Sequence, residues 1–193
     1  MRLIRIAALA LSCLGTPLLA QVTNTTDLPT TWDLFAGGSL LHSDKLNTGG
    51  AAYGWDVSIS ERPYRSHPWI GGTIEGSGNY YSKSVQTSGI TVTDSYDSYT
   101  FMGGPFVTFR THHLDPFARV LLGTVIQQTG VSAAGQNNTG TLKNFGYDFG
   151  GGVDVPLGRR FALRGQGDFI RVRYSSSESA NAVRAAAGFV VKF

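Results

Sequence analysis

The chain has 193 residues and a formal net charge of +3, and its charged residues make up only 15% of the total, against about 25% in an ordinary soluble domain. Glycine is abundant at 25 residues, aromatics reach 11%, and Cys13 is the single cysteine. That balance excludes a disulfide scaffold, and the slight basic excess makes nucleic acid a poor partner.

The first residues form a separate unit. Arg2 and Arg5 make a basic stretch, residues 6–14 an apolar one, and Ala20 is a small residue ahead of Gln21. This is the pattern of a signal peptide over residues 1–20, with the cut expected at or within a few residues of Ala20 because Leu18 is an unusual neighbour for it. Gly15 and Pro17 break the apolar run short of the ~18–20 residues a membrane helix needs. A lipoprotein cut at Cys13 is disfavoured because "ALSC" lacks the usual leucine. Cleavage removes the only cysteine and lowers the charge to +1, since Arg2 and Arg5 leave with it. An exported domain without disulfides takes its stability from a large core or from a membrane. Residues 21–30 read as a polar leader, and residues 31–193 as one domain.

That domain contains eight runs with the two-residue period of strands and no convincing helical period. The first is about 31–41, "TWDLFAGGSLL". The second, about 51–61, puts Tyr53, Trp55, Val57 and Ile59 on one face and Asp56 on the other. The third is about 68–79 and the fourth about 96–110, where Pro105 must cost a ladder hydrogen bond. The fifth is about 116–128. The sixth, about 143–156, opposes Phe145, Tyr147, Phe149, Val153 and Val155 to Asp148, Asp154 and glycines. The seventh, about 160–174, turns Phe161, Leu163 and Phe169 one way and Arg164, Gln166 and Asp168 the other. The last, about 182–193, aligns Val183, Ala185, Ala187, Phe189, Val191 and Phe193 on a face that stays apolar to the final residue.

The connections give the direction. "RPYRSH", "THHLD" and "LGR" are short, whereas "HSDKLNTGG", "YYSKSVQTSGITVTDS", "TGVSAAGQNNTGTL" and "SSSESAN" are mostly longer and rich in Ser, Thr, Asn and Gly. In a meander these two sets emerge at opposite ends, the asymmetry of an outer-membrane barrel with short periplasmic turns and long outer loops. A soluble barrel with its apolar face inward has the same period. The polar face decides against it, because that face carries glycine, serine and isolated charges of both signs rather than a lysine- and glutamate-rich surface. Asp56, Glu75, Arg119, Asp148, Asp154, Arg164, Asp168 and Arg184 are therefore expected to form a lumenal polar network, with Lys192 on the same face. An eight-stranded barrel has just the interior that such side chains fill. The apolar face, ending on Phe193, is covered by lipid. The expected fold class is all-β, an eight-stranded antiparallel up-and-down transmembrane barrel.

With these residues the chain resembles the small outer-membrane β-barrel family of the OmpA transmembrane domain, OmpX and the opacity proteins. It is similar in particular to the stand-alone barrels common in acidobacterial genomes. The likeness covers about 30–193 and rests on "YTFMGGPFVTFR", "LDPFARVLLG", "FGYDFGGGVDVPLGRRFALRGQGDF" and "GFVVKF". It implies that the last strand is an assembly signal read by the barrel-assembly machinery, carried here by Gly188, Phe189, Val191 and Phe193. The peptidoglycan-binding domain of longer relatives has no counterpart after the barrel, so a cell-wall tether is not supported.

Signals of chemistry are sparse. Adjacent His112 and His113 point apart on an extended chain and read as a solvated turn rather than a metal site, and His67 falls in another short turn. "HSDK", beginning at His42, places His, Ser and Asp together, but neighbours on one loop rarely meet as a triad. The glycines of "GPFVTF" and "FGGGVD" precede no helix that would hold a phosphate and read as close strand packing. "NTT" and "NNT" match glycosylation sequons of little use to an exported bacterial protein. No catalytic, cofactor or metal residues are expected. Arg171 and Arg173 share the outward parity of Phe169 at the loop end of the seventh strand, where lipopolysaccharide phosphates suit arginine forks. The expectation is a monomeric, non-enzymatic protein of the cell outer membrane with a structural or surface-interaction role. Its lumen is filled by side chains, and four loops face an unidentified outer partner. A barrel enzyme acting on lipid A and a secreted ligand-binding barrel are the weighed alternatives; only His42 lies at the end such an enzyme would need.

Overall fold

The computed structural model describes residues 32–44, 51–62, 69–87, 90–111, 113–133, 136–175 and 178–193. The signal-peptide and leader readings, His67 and His112 lie outside these residues. Period-two alternation produces eight strands: β1 (Trp32–Ser43), β2 (Ala52–Glu61), β3 (Ile70–Thr87), β4 (Ile90–Thr108), β5 (Asp115–Ala133), β6 (Gln136–Pro156), β7 (Phe161–Arg173) and β8 (Ser179–Lys192). Each pairs antiparallel with the next, and β8 returns to β1, so the sheet closes into a barrel. The closing seam runs from Asp33 opposite Lys192 to Ser43 opposite Ala182. Past it, Phe193 N–H donates to the Trp32 carbonyl at 2.9 Å, and Trp32 N–H to the Phe193 carbonyl at 3.5 Å.

Burial is inverted relative to a soluble protein. Ile74 is 73% exposed and Phe189 61%, while Arg184 is 1% exposed and Asp56 and Asp148 are wholly buried. Along β7 exposure alternates without exception, with Phe161, Leu163 and Phe169 outward and Arg164, Gln166 and Asp168 inward. The period is the one a soluble barrel has, and the side on which the charges lie separates the two.

Two hairpins differ from expectation. β3 continues to Thr87 and β4 starts at Ile90, and β5 and β6 extend to Ala133 and from Gln136. Much of what reads as loop in the sequence is therefore paired strand. Its alternating Ser, Thr and Val side chains are polar enough to resemble a loop, yet the β-branched ones favour extended backbone. The flanking strands stop sooner: the β2–β3 ladder ends at Tyr53 opposite Tyr80, and the β6–β7 ladder at Phe145 opposite Arg173. Above that level β3–β6 continue as a four-stranded sheet. At Pro105 the β4–β5 ladder omits Gly104 and Pro105 and resumes in the same register at Phe106 opposite Arg119. The proline thus costs pairing locally without a bulge.

The seam depends on two glycines. Gly37 and Gly188 are opposite one another. A Cβ on Gly188 would run into the Ala36 carbonyl and the Gly37 Cα, and one on Gly37 into the Ala187 carbonyl and the Phe35 ring. Gly165 on the outward face of β7 has open space instead. Gly188→Val should lower barrel stability by about 1–3 kcal/mol, the cost of overpacking, whereas Gly165→Val should leave it unchanged. Urea unfolding of the refolded barrel, followed by tryptophan emission, checks this; equal losses would show that the seam is not especially crowded.

Candidate functional site in the barrel lumen

Inward parity on neighbouring strands brings the charged side chains to shared heights, and they fill the lumen in three layers. At the short-turn end stand three separate ion pairs. Arg62 donates to both carboxylate oxygens of Asp33 at 2.6 and 2.9 Å. Arg164 does the same to Asp154 at 2.7 and 2.9 Å. Lys192 Nζ donates to Asp115 at 3.0 Å. The guanidinium of Arg164 also lies 4.5 Å from the ring centre of Phe117 and 5.2 Å from that of Phe35, and Arg62 stacks over Phe106 at 5.8 Å. Planar guanidiniums pack on aromatic faces while their edges hold the carboxylates.

The middle layer is one connected network around Arg184 of β8. Its Nε and Nη2 donate to Asp168 Oδ2 at 3.0 and 2.9 Å, and its Nη1 donates to Ser77 Oγ at 2.7 Å. Nη2 also reaches Asp148 at 3.2 Å and Glu75, with Asp56 Oδ2 3.7 Å away. Arg119 of β5 donates to the other oxygen of Asp168 at 2.9 Å. Its Nη1 lies 2.5 Å from Glu75 Oε2 as an ion contact that is not aligned as a hydrogen bond. Gln166 joins the carboxylates, donating from Nε2 to Asp56 at 2.9 Å and more weakly to Asp168 at 3.5 Å.

Room for these groups comes from glycine. A Cβ on Gly150 would meet Asp168 and Arg119, and one on Gly152 would meet Gln166. Gly150 therefore vacates lumen volume that larger side chains of neighbouring strands occupy, while Gly151 and Gly152 lie closest to the backbone carbonyls of Phe117 and Gly165, the close strand packing expected of them.

The top layer is apolar. Leu41, Ala52, Met102, Leu121, Val125, Ile170, Val172 and Ala182 pack together. Above them Gln127 bridges two tyrosines, donating to Tyr96 OH at 2.9 Å and accepting from Tyr174 OH at 2.5 Å. The cavity beneath measures about 10 Å³, the room of a single water. Packed side chains thus line the lumen at all three levels among the described residues.

Of the eight lumenal residues read from sequence, Asp56, Glu75, Arg119, Asp148, Asp168 and Arg184 come together, while Asp154 and Arg164 form a separate pair nearer the turns. Sequence reasoning missed Asp33, Arg62 and Asp115 as lumenal partners, along with Ser77 and the apolar cap, and it set Gln166 on the inward face without counting it in the network. Asp33 shares the parity of the buried Phe35 and was legible; Arg62 and Asp115 fell in presumed turns. Gly188 is in the seam, Phe189 and Phe193 are exposed, and Val191 is half-buried. Arg171 and Arg173 are exposed on the outside of β7. His42 faces outward and Ser43 inward, so these neighbours diverge.

Comparison with known proteins shows the fold. No family model matches the chain, and no curated protein matches it. Among solved structures it is similar to Ail, the attachment invasion locus protein of Yersinia pestis, in complex with the heparin analogue sucrose octasulfate. The TM-score is 0.59 at 10% identity, over 87% of this chain and 100% of that one. Neisserial surface protein A (NspA) gives 0.55 at 14%, over 86% and 100%. The outer membrane protein OprG of Pseudomonas aeruginosa gives 0.52 at 9%, over 86% and 96%. The chain has the fold of the small outer-membrane β-barrels.

Arg184→Leu would leave Asp56, Glu75, Asp148 and Asp168 buried around an apolar side chain. The expected loss is about 3–5 kcal/mol, as for breaking a buried ion pair from one side. Tyr174→Phe, removing one roof hydrogen bond, should cost about 0.5–1.5 kcal/mol. Equilibrium unfolding in detergent ranks the two, and the reverse order would remove the network from its central place.

Proposed function

We propose that this protein is an exported outer-membrane β-barrel whose work is done on its outer surface, the lumen serving to fix the barrel rather than to conduct. The observation that carries this reading is the inverted burial. Exposed Phe, Ile, Leu and Trp side chains girdle the wall while aspartates, glutamate and arginines fill the inside. Such a wall is stable in hydrocarbon and a liability in water. The β2–β3, β4–β5 and β6–β7 turns lie at the periplasmic end, and the β3–β6 extension lies outside with the β1–β2 and β7–β8 connections; extended paired strand, not connection length, sets the outer end apart. Neighbours of the same fold carry names that refer to attachment and to the neisserial surface, which supports a role in surface interaction or envelope structure. Partner choice is then the work of the outer loops.

Two measurements test this reading. Cells expressing the chain are fractionated, and surface-exposed epitopes inserted in the β3–β4 and β4–β5 connections are labelled from outside. The protein should partition with the outer membrane, with only the β3–β4 tag labelled; recovery in the soluble fraction sinks the proposal. In planar bilayers the purified barrel should give no steady openings that admit sugars, because all three lumen layers obstruct the path.

The closing strand is the proposed assembly signal, with Gly188, Phe189, Val191 and Phe193 its elements. Phe193→Ser should sharply reduce the heat-modifiable folded band in cells while refolding in detergent is affected less. An undiminished band in cells would remove the signal role.

A further inference from the structure

Every buried cation among the described residues has a carboxylate partner, Arg62 holding Asp33 near the turns. Arg119 and Arg184 sit among four acids, Arg164 holds Asp154, and Lys192 holds Asp115. Three outward cations at the upper rim do not. Arg171 and Arg173 of β7 and Lys143 of β6 are exposed. Among the described residues none of the three has an acidic partner. Arg171 donates from Nε and Nη2 to Ser179 Oγ at 3.3 and 3.1 Å, and Arg173 donates to the Ser175 carbonyl at 3.4 Å.

The register makes these three a cluster. Arg171 lies between Tyr147 and Asn181, and Arg173 between Phe145 and Ser179. Lys143 is the next outward residue on β6 above Phe145, diagonal to Arg173. Neighbours of this kind are roughly 7 Å apart along or across strands. At a 45° tilt, Arg171 stands roughly 23 Å above Phe161 and Arg173 roughly 28 Å, where the ~25 Å apolar band ends. The far side of the rim is different: Tyr53 is opposite Tyr80, and Tyr80 opposite Asp97. Lys83, exposed above that far side, stands opposite Asp94. The outward rim cations with no acid opposite them are thus gathered on one flank over an aromatic floor.

We infer that this flank binds the phosphates of lipopolysaccharide, with Arg171, Arg173 and Lys143 as the phosphate ligands and Tyr147 and Phe145 against the sugar and upper acyl region. The inference rests on the outer-membrane reading above, which sets this rim in the outer leaflet. Charge complementarity selects the occupant. Three unpaired cations match a glycolipid bearing two phosphates, each of more than one negative charge, better than a phospholipid with a single charge. Arginine forks take two phosphate oxygens at once, and Ser179 holds one of them against the wall. A cation at the bilayer midplane costs ~2–4 kcal/mol but little at the interface, so the chain tolerates the cluster at this height.

The test places the purified full-length barrel in neutral phosphatidylcholine vesicles containing bisphosphorylated lipid A, the same lipid A without its phosphates, or phosphatidylglycerol. The unfolding midpoint is read by loss of the heat-modifiable band. Bisphosphorylated lipid A should raise the wild-type midpoint by about 5 °C or more over its dephosphorylated form. Arg171→Ala, Arg173→Ala and Lys143→Ala together should abolish that increment while leaving the midpoint in neutral vesicles unchanged. Equal wild-type midpoints with the two lipid A forms overturn the inference without requiring any variant, and so does an increment that persists in the triple variant. The same increment from phosphatidylglycerol overturns the assignment to a glycolipid. A barrel that folds in none of the vesicles refutes the membrane reading itself; one that folds in all of them without phosphate dependence sinks this inference alone.

Discussion

Backbone N–H and C=O groups in hydrocarbon find no water, so a wall of strands persists there only when every edge is paired. Closure of β8 onto β1 meets that condition. Once the sheet is a ring, each strand has one face outward and one toward a narrow interior, and side-chain parity acquires a fixed meaning. The exposed Phe, Ile and Leu of the outer face and the buried charges of the inner face are two results of the same closure. A one-residue slip of β8 would turn Arg184 to the lipid and Ala185 to the network, so the charges make register costly to mistake.

The narrowness of an eight-stranded ring decides how the interior is built. Side chains reaching inward compete for volume, and the barrel resolves this by setting glycine beside arginine and aspartate, as at Gly150 beside Arg119 and Asp168. Buried ion pairs return little net stability compared with an apolar filling. Their arrangement here is nevertheless ordered by height: isolated pairs stacked on aromatic rings near the turns, a shared network around Arg184 in the middle, and an apolar cap beneath Tyr96, Gln127 and Tyr174.

What could be read from sequence followed from how strictly each strand is constrained. β7 alternates between exposed and buried side chains without a break, and its expected span of about 160–174 differs from Phe161–Arg173 by a residue at each end. The upper parts of β3–β6 run past the ends of the flanking strands, where polar residues are acceptable on both faces, and Ser- and Thr-rich strand looks like loop. Parity identified the inward face of Asp154 and Arg164 but not their height. Height depends on the stagger between strands, which no single strand reveals, so a separate lower pair was indistinguishable from a member of the central network. Asp115 escaped because its strand was begun one residue late, behind Pro116. The loops' partner was never legible, since a connecting segment's composition describes its solvation and not its recognition.

The reciprocal hydrogen bonds of Trp32 and Phe193 make the barrel a cycle in which strand order has neighbours but no inherent first member. A short linker across that junction, with the chain reopened between β4 and β5 on the same side, would describe the same circular arrangement beginning at β5 and ending at β4. Backbone pairing is indifferent to such a permutation. Whatever distinguishes β8 during biogenesis would then have to reside in its side chains and in its place in the order of strands, two properties that a permuted gene separates.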